Sequence, residues 1–337
     1  MQQGKKLRTK GFGIGLIMIG LWGCGGGGGG GTSSPVVAYE IVDLGLVSDP
    51  LTSAAVSDNR AVVSAQSGSV MWSSVGVTTL GDLGGGSTIA RAINSNGLIV
   101  GSSDDGSGYK AFQELAGGPF VRVPNPGTRE STATDVNDAG AIVGYYAGDD
   151  GNEHGFLVDG AGSHPIVDGA NSVQPMSINS NAIVVGSTID ASGASMGFLW
   201  SNGNISHLAA LGGPESGAND VNDAGIAVGF AAIASGDRHA ARYFNAQVSD
   251  LGTLGGSGSI AQGINNSGDI VGSAQVSDGT WRAFVVPAGG TLQDLNARLP
   301  VGSAWVLQSA SAIATRGSIV GSGQYKGQTH AFVLRLR

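Results

Sequence analysis

The sequence predicts an all-β chain that closes into a ring of seven four-stranded antiparallel blades. Three observations lead there. First, a seven-residue spacing from Asn to Gly recurs in Ile93-Asn94…Val100-Gly101, Val136-Asn137…Val143-Gly144, Ile178-Asn179…Val185-Gly186, Val221-Asn222…Val228-Gly229 and Ile264-Asn265…Val271-Gly272. Degenerate copies flank these five, at Val56-Ser57…Val63-Ser64 and Ile313-Ala314…Val320-Gly321. From Ser57 onward the Asn-equivalents lie 37, 43, 42, 43, 43 and 49 residues apart. A period of about 40–45 residues filled with short strands marks propeller-like repeats. Second, two further strand signals, one around Ala-Phe and one around Asp-Leu-Gly, recur in fixed order between the Asn turns. Third, the leftovers at the two ends of the array complement each other, as set out below.

The first segment, residues 1–23, reads as an export signal. Lys5, Lys6, Arg8 and Lys10 form a basic stretch, and Gly11 to Leu21 is apolar. That apolar run is too short for the ~20 residues that span a bilayer, and its flanks fit a signal peptide. It ends in Leu21-Trp22-Gly23-Cys24. These four residues resemble the lipobox of bacterial lipoproteins, with Leu three before the Cys and a small residue just before it; Trp22 departs from the usual pattern. The resemblance implies cleavage before Cys24 and lipidation of Cys24. With no Asp at position 25, it also implies the outer membrane of a two-membrane envelope. Cys24 is the only cysteine, so an internal disulfide is excluded. Several acyl chains on one residue anchor stably where a single chain is marginal.

Residues 24–37 follow as a tether. Seven glycines come after Cys24, then Thr, Ser and Pro. A Gly-rich coil of this length spans about 20 Å r.m.s..

Residues 38–337 form the repeat domain. In the copy from Val248 to Gly289, Val248–Gly252 reads as one strand, Ile260–Ile264 as a second, Asp269–Ala274 as a third and Trp281–Val286 as a fourth. Asn265-Asn266-Ser267-Gly268 and Ser277-Asp278-Gly279 are turns, because Asn and Gly accept positive φ and Asn bonds its own backbone. Strands this short, punctuated by such turns, read as an antiparallel sheet. Nothing sustains a 3.6-residue period, so no helix is expected beyond the signal.

We name the strands around the Asn turn a and b, the Ala-Phe strand c and the Asp-Leu-Gly strand d. Strand c recurs at Lys110-Ala111-Phe112, His154-Gly155-Phe156, Met196-Gly197-Phe198, His239-Ala240-Ala241, Arg282-Ala283-Phe284 and His330-Ala331-Phe332, with Val70-Met71-Trp72 in the first copy. Strand d recurs at Asp43-Leu44-Gly45, Asp82-Leu83-Gly84, Asp250-Leu251-Gly252 and Asp294-Leu295. The array starts with a lone d, Glu40–Gly45, and ends with a lone a-b-c set, Ser309–Leu336. Pairing the two completes a seventh blade and hides the edges that an open stack of repeats exposes.

Together the elements DLGTLGG (250–256), INNSGDIVG (264–272) and HAF (330–332) resemble the bacterial extracellular HAF repeat family. The resemblance spans about residues 38–337. It implies a secreted or surface repeat protein of unassigned activity.

Composition narrows the partners. Residues 1–23 hold four basic and no acidic side chains, so the net charge of −8 becomes −12 once they are removed. Only Lys110 and Lys326 remain as lysines. Nucleic acid, whose binding needs phosphate neutralisation, is not an expected partner. Membrane through the lipid anchor, carbohydrate and envelope proteins are. No cofactor or metal is implied.

His154, His239 and His330 share one repeat position, which Lys110 and Arg282 occupy in two other blades, and form a candidate basic ring for an anionic ligand. Met196 occupies the same position, which favours a structural role inside each blade. Tyr145, Tyr146 and Trp305 do not recur and are the better ligand-stacking candidates. The Asn series is explained by turn chemistry. The turns Asp104-Asp105-Gly106, Asp149-Asp150-Gly151 and Asp278-Gly279 lack EF-hand ligand spacing. Gly193-Ala194-Ser195-Met196-Gly197 matches the esterase G-x-S-x-G pattern but leads into a strand, not the strand–turn–helix elbow that motif requires. No catalytic residue is expected. The reading is a lipid-anchored envelope binding or scaffold module; the alternatives are a propeller enzyme acting on extracellular glycan, or a structural subunit of an envelope assembly. Exposed Tyr or Trp between blades would favour carbohydrate, and a non-repeating His and acidic cluster would favour an enzyme.

Overall fold

Seven antiparallel sheets of four strands carry the repeat, each in the order a-b-c-d. The computed structural model describes residues 39–47, 53–65, 68–115, 117–124, 127 and 129–336. The signal segment, the tether and Cys24 lie outside the described residues. Strand a is Ser53–Ser57, Thr88–Ile93, Ser131–Val136, Ser172–Ile178, Gly212–Val221, Gly255–Ile264 and Trp305–Ile313 in blades I to VII. Each a strand touches the a strands of both neighbours, and blade VII touches blade I, so the seven strands line a closed ring.

The seam is where the end residues place it. Tyr39–Leu46 pairs antiparallel with Gln328–Leu336, strand c of blade VII, in a register that sets Val42 against Val333. Tyr39 is buried there, and Ile41, Val42 and Leu44 pack on the adjoining cores.

Two local readings change. In blades I to VI, strand d pairs with the strand c before it, as Gln247–Asp250 does with Arg238–Phe244. The sheet is therefore offset by one strand from the contiguous 248–289 copy. The Asp-Leu-Gly motif also ends strand d and does not fill it. Asp43, Asp82 and Asp250 each accept a bond from the backbone N of Gly45, Gly84 and Gly252, two residues on. Asp294 does the same for Asn296 at a short 3-10 turn, Leu295–Arg298, the only helical piece among the described residues.

The seven-residue spacing has a backbone cause. In blades II to VII strand a carries a bulge, between Ala90 and Ala92 in blade II and between Ala261 and Gly263 in blade VI. The extra residue pushes a carbonyl towards strand b. A Cβ on Gly101, Gly144, Gly186, Gly229, Gly272 or Gly321 would stand 2.0–2.1 Å from that carbonyl oxygen. Blade I has an unbroken a–b register and carries Ser64 at this position. Opposite the glycine on strand c sits the repeat Phe, as in Gly144↔Phe156 and Gly272↔Phe284. Phe112, Phe156, Phe198, Phe284 and Phe332 are all fully buried. Their rings cover the bare glycine backbone and fill the cores between blades.

The Asn residues do more than close turns. Asn137 Oδ1 accepts from Ala141 N within its turn, and Asn137 Nδ2 donates to the Asn179 carbonyl of the next blade at 3.0 Å. The same step runs Asn94 to Asn137, Asn179 to Asn222, Asn222 to Asn265, and Asn265 to Ala314. Five amides thus stitch six blades along one rim. Positive φ falls three residues later, on Gly97, Gly140, Gly225, Gly268 and Gly317, with Ala182 (φ 57) in blade IV.

Candidate functional site

Strand direction sorts the surface into two faces. The a–b and c–d turns lie on one, and the b–c turns and d–a loops on the other. Tyr145 and Tyr146 end a b strand, His154, His239 and His330 begin c strands, and Trp305 begins an a strand. All six therefore belong to the second face.

Their local partners differ. His239 Nδ1 is 2.9 Å from Asp250 and His330 Nδ1 is 2.8 Å from Asp43, each the Asp that ends strand d of the same blade. His154 Nε2 bonds Asp150 at 3.0 Å. That bond, before the Asn152 backbone donor, holds the Asp150 carboxyl below the usual range. Each repeat histidine thus sits in a local Asp pair, and the three do not meet. Trp305 is only 8% exposed, stacks on Tyr325 at 5.0 Å and meets Phe332 edge-on. It packs blade VII. Tyr146 lies against His154, ring centroids 5.4 Å apart.

Tyr145 is placed differently. It lines a cleft of about 240 Å³ between blades II and III, together with Arg91, Tyr109, Glu130, Thr132 and Glu153. Arg91 is the extra residue of the blade II bulge; the same bulge carries Thr134, Met176, Asn219, Gln262 and Ser311 in blades III to VII. Tyr145, the residue after the repeat glycine, replaces Ser102, Ser187, Phe230, Ser273 and Ser322 of the other bulged blades. The cleft is therefore a place where the serine usual after the repeat glycine gives way to tyrosine, beside a bulge position whose residue differs in every bulged blade. Sequence reading found Tyr145 by its failure to recur and missed Arg91, because the bulge that aligns the a strands is invisible in the spacing.

The cleft is electrostatically built. Arg91 Nε donates to Thr132 Oγ1 at 3.1 Å, across the blade boundary. Among the described residues Arg91 has no carboxylate partner, and its two terminal nitrogens make no hydrogen bond. Burial pushes the Tyr145 phenol up, Arg91 opposes this, and Glu153 adds to it. Glu153 also accepts from Gln174 Nε2 of blade IV. Tyr109 Oη and Ser87 Oγ are 2.9 Å apart.

A second polar cluster lies on the innermost strands. Ser177 Oγ is 2.9 Å from Asp135 Oδ2 and 2.8 Å from Asp220 Oδ1. Asp135 also accepts from Ile178 N and Asp220 from Ile264 N, each in the following blade. Crowding by protein, then the Asp220 charge, pushes the Asp135 carboxyl up from 3.8 to about 6. Asp220 is also raised, by burial. The aspartate-rich turns bond themselves: Asp104 caps Gly106, Asp150 caps Asn152 and Asp278 caps Thr280. No group of three metal-ligating side chains forms among the described residues. Ser195 of the G-x-S-x-G match begins strand c of blade IV and donates to the Ser216 carbonyl.

No family model and no curated protein matches this sequence. In structure the chain is similar to virginiamycin B lyase from Staphylococcus aureus, with TM-score 0.56 and 12% identity, over 89% of this chain and 100% of that one. A streptogramin B lyase gives TM-score 0.54 and 12% identity, over 89% and 98%. The β-propeller domain of the trilobed protease from Pyrococcus furiosus gives 0.56 and 8%, over 85% and 96%. Likeness at these identities is likeness of fold, and the chain is a seven-bladed β-propeller.

Proposed function

We propose that this propeller is a lipid-anchored envelope protein that acts as a glycan-binding module through its b–c turn face. The observation that carries the binding role is the II–III cleft, where Tyr145 stands at a position that is serine in four of the other five bulged blades, beside an arginine with no carboxylate partner among the described residues. Aromatic faces beside hydroxyl and carboxylate acceptors suit sugars, whose rings are apolar on one face and polar at the edge. The anchor rests on Leu21-Trp22-Gly23-Cys24 and on the resemblance to HAF-repeat proteins, and the Gly-rich segment supplies reach.

Two measurements test this. Cys24→Ala should move the protein out of the membrane fraction and abolish lipid labelling; wild type that takes up no label would end the anchor reading. The full chain in detergent should bind a subset of envelope polysaccharides on a glycan array. An array with no saturable signal would end the glycan reading and leave a scaffold.

A further inference from the structure

Arg91 is a half-buried guanidinium whose forked end is unengaged. A guanidinium fork of this kind matches a planar carboxylate with two parallel hydrogen bonds. The cleft also holds Glu130 and Glu153. Two carboxylates beside one arginine disfavour a doubly charged phosphate or a polyanion more than a single carboxylate, while they accept hydrogen bonds from hydroxyl groups. Specificity comes from such repulsion as much as from attraction. Tyr145, half-buried, lines the same cleft as Arg91. The cleft's volume, about 240 Å³, is that of a one-ring ligand.

We propose that the II–III cleft binds a single acidic sugar unit of the hexuronate type, its carboxylate on the Arg91 fork, its ring against Tyr145 and its hydroxyls on Glu130 and Glu153. This rests on the glycan-binding reading above and names the substrate class of that site.

The test is calorimetric titration of the full chain in detergent with methyl glucuronoside, methyl glucoside, glucose 6-phosphate and glycine. Wild type should bind the glucuronoside at least tenfold more tightly than the glucoside, and more tightly than the phosphate or the amino acid. Arg91→Gln should bring the glucuronoside to glucoside ratio close to one. Arg91→Lys keeps the charge without the fork and should retain less of the preference than wild type. Tyr145→Ala should weaken both sugars. Melting temperature read beside each titration separates lost binding from lost folding, and Arg91→Lys serves if Arg91→Gln fails to fold. Absence of saturable glucuronoside binding, tighter binding of glycine or the phosphate, or a sugar preference that survives in folded Arg91→Gln or is undiminished in Arg91→Lys would each overturn the proposal. Array binding unchanged by Arg91→Gln would overturn it too while leaving the glycan-binding reading standing. An empty array with glucuronoside still held in the cleft would remove the envelope-glycan reading and keep the acidic-sugar site.

Discussion

One hydroxyl proton at Ser177 faces two carboxylates, Asp135 and Asp220, both within 3 Å. A serine hydroxyl donates once. The second short contact becomes a hydrogen bond only when one carboxyl keeps its own proton and donates to Ser177 Oγ. That agrees with the upward push on both acids. The linkage sign follows from Asp135, at about 6 in the fold against 3.8 as the ordinary value. Between those values the folded chain holds more protons than the unfolded one, so this group's contribution to stability falls as pH rises through the window. It is greatest below 3.8 and absent above about 6. Asp135→Asn removes this titration, and with it one backbone acceptor, because Oδ1 accepts from Val136 N and Oδ2 from both Ile178 N and Ser177 while an amide has a single acceptor oxygen. We expect the variant to melt below wild type at pH 4, with the gap narrowing towards pH 7 as wild type loses the contribution of the protonated carboxyl. A variant whose melting curve tracks wild type across that range would show that the carboxyl does not carry the proton. The sequence hides this cluster in plain view: Asp135 and Asp220 precede a repeat Val-Asn where the other copies have Ala92, Ser177 and Gly263. Only the ring brings residues 85 positions apart onto one hydroxyl.

At the scale of the element, the Asn-to-Gly hairpin is held by two different constraints. Gly272 is excluded from any larger residue by backbone: a Cβ there would stand 2.1 Å from the Ile260 carbonyl oxygen and 2.8 Å from the Phe284 ring. Asn222 is held by hydrogen bonds, to Ile226 N in its own turn and to the Asn265 carbonyl of the next blade. Gly272→Ala forces the bulge or the Phe to move. Overpacking of this kind costs about 1–3 kcal/mol, and a shift of the bulged strand brings it to the upper end. Asn222→Ala takes the side-chain acceptor from the turn N–H groups of Ala224 and Ile226, about 1–3 kcal/mol for each group left unsatisfied, and one of two donors from the Asn265 carbonyl, which keeps Gly268 N. Chemical denaturation should show both losses, and ligand binding at the II–III cleft should survive in whatever fraction remains folded. Full stability in either variant would remove the structural account of the repeat. The hairpins, their spacing and the blade number were legible because each repeat residue answers to a local backbone demand. The bulge and the blade-to-blade amide bonds were not. Those depend on carbonyl directions and on neighbours about 43 residues away, which side-chain pattern does not encode. The same divide separates Tyr145, visible as a break in the pattern, from Arg91, which matters only because the bulge turns it towards Thr132.

For the whole molecule, closure is a single seam, because only blade VII takes its outer strand from the opposite end of the repeat domain. The other six blades are each continuous in sequence and can form before the ring shuts. Tyr39–Leu46 joins the ends through seven paired residues, and it interrupts its own register between Asp43 and Gly45 to let Asp43 meet His330. It buries Tyr39 and partly buries Ile41, Val42 and Leu44 against two neighbouring cores. Each large apolar side chain removed from water contributes about 1.5–3 kcal/mol when fully buried. The strand therefore stabilises by several kcal/mol, a large share of the 5–15 kcal/mol typical of a folded domain. Deleting residues 39–46 strips these contacts and opens the outer edge of Gln328–Leu336, which keeps only its pairing with Ile319–Tyr325. We expect the melting temperature to fall by about 10 °C or more, at roughly 2–4 °C per kcal/mol for a domain approaching this size. Amide exchange should locate the damage: protection lost first along 328–336 in blade VII, with the a–b hairpins of blades III to V the last to open. A deletion variant with wild-type melting temperature and an unexposed blade VII edge would mean that the six continuous blades hold the ring without its seam.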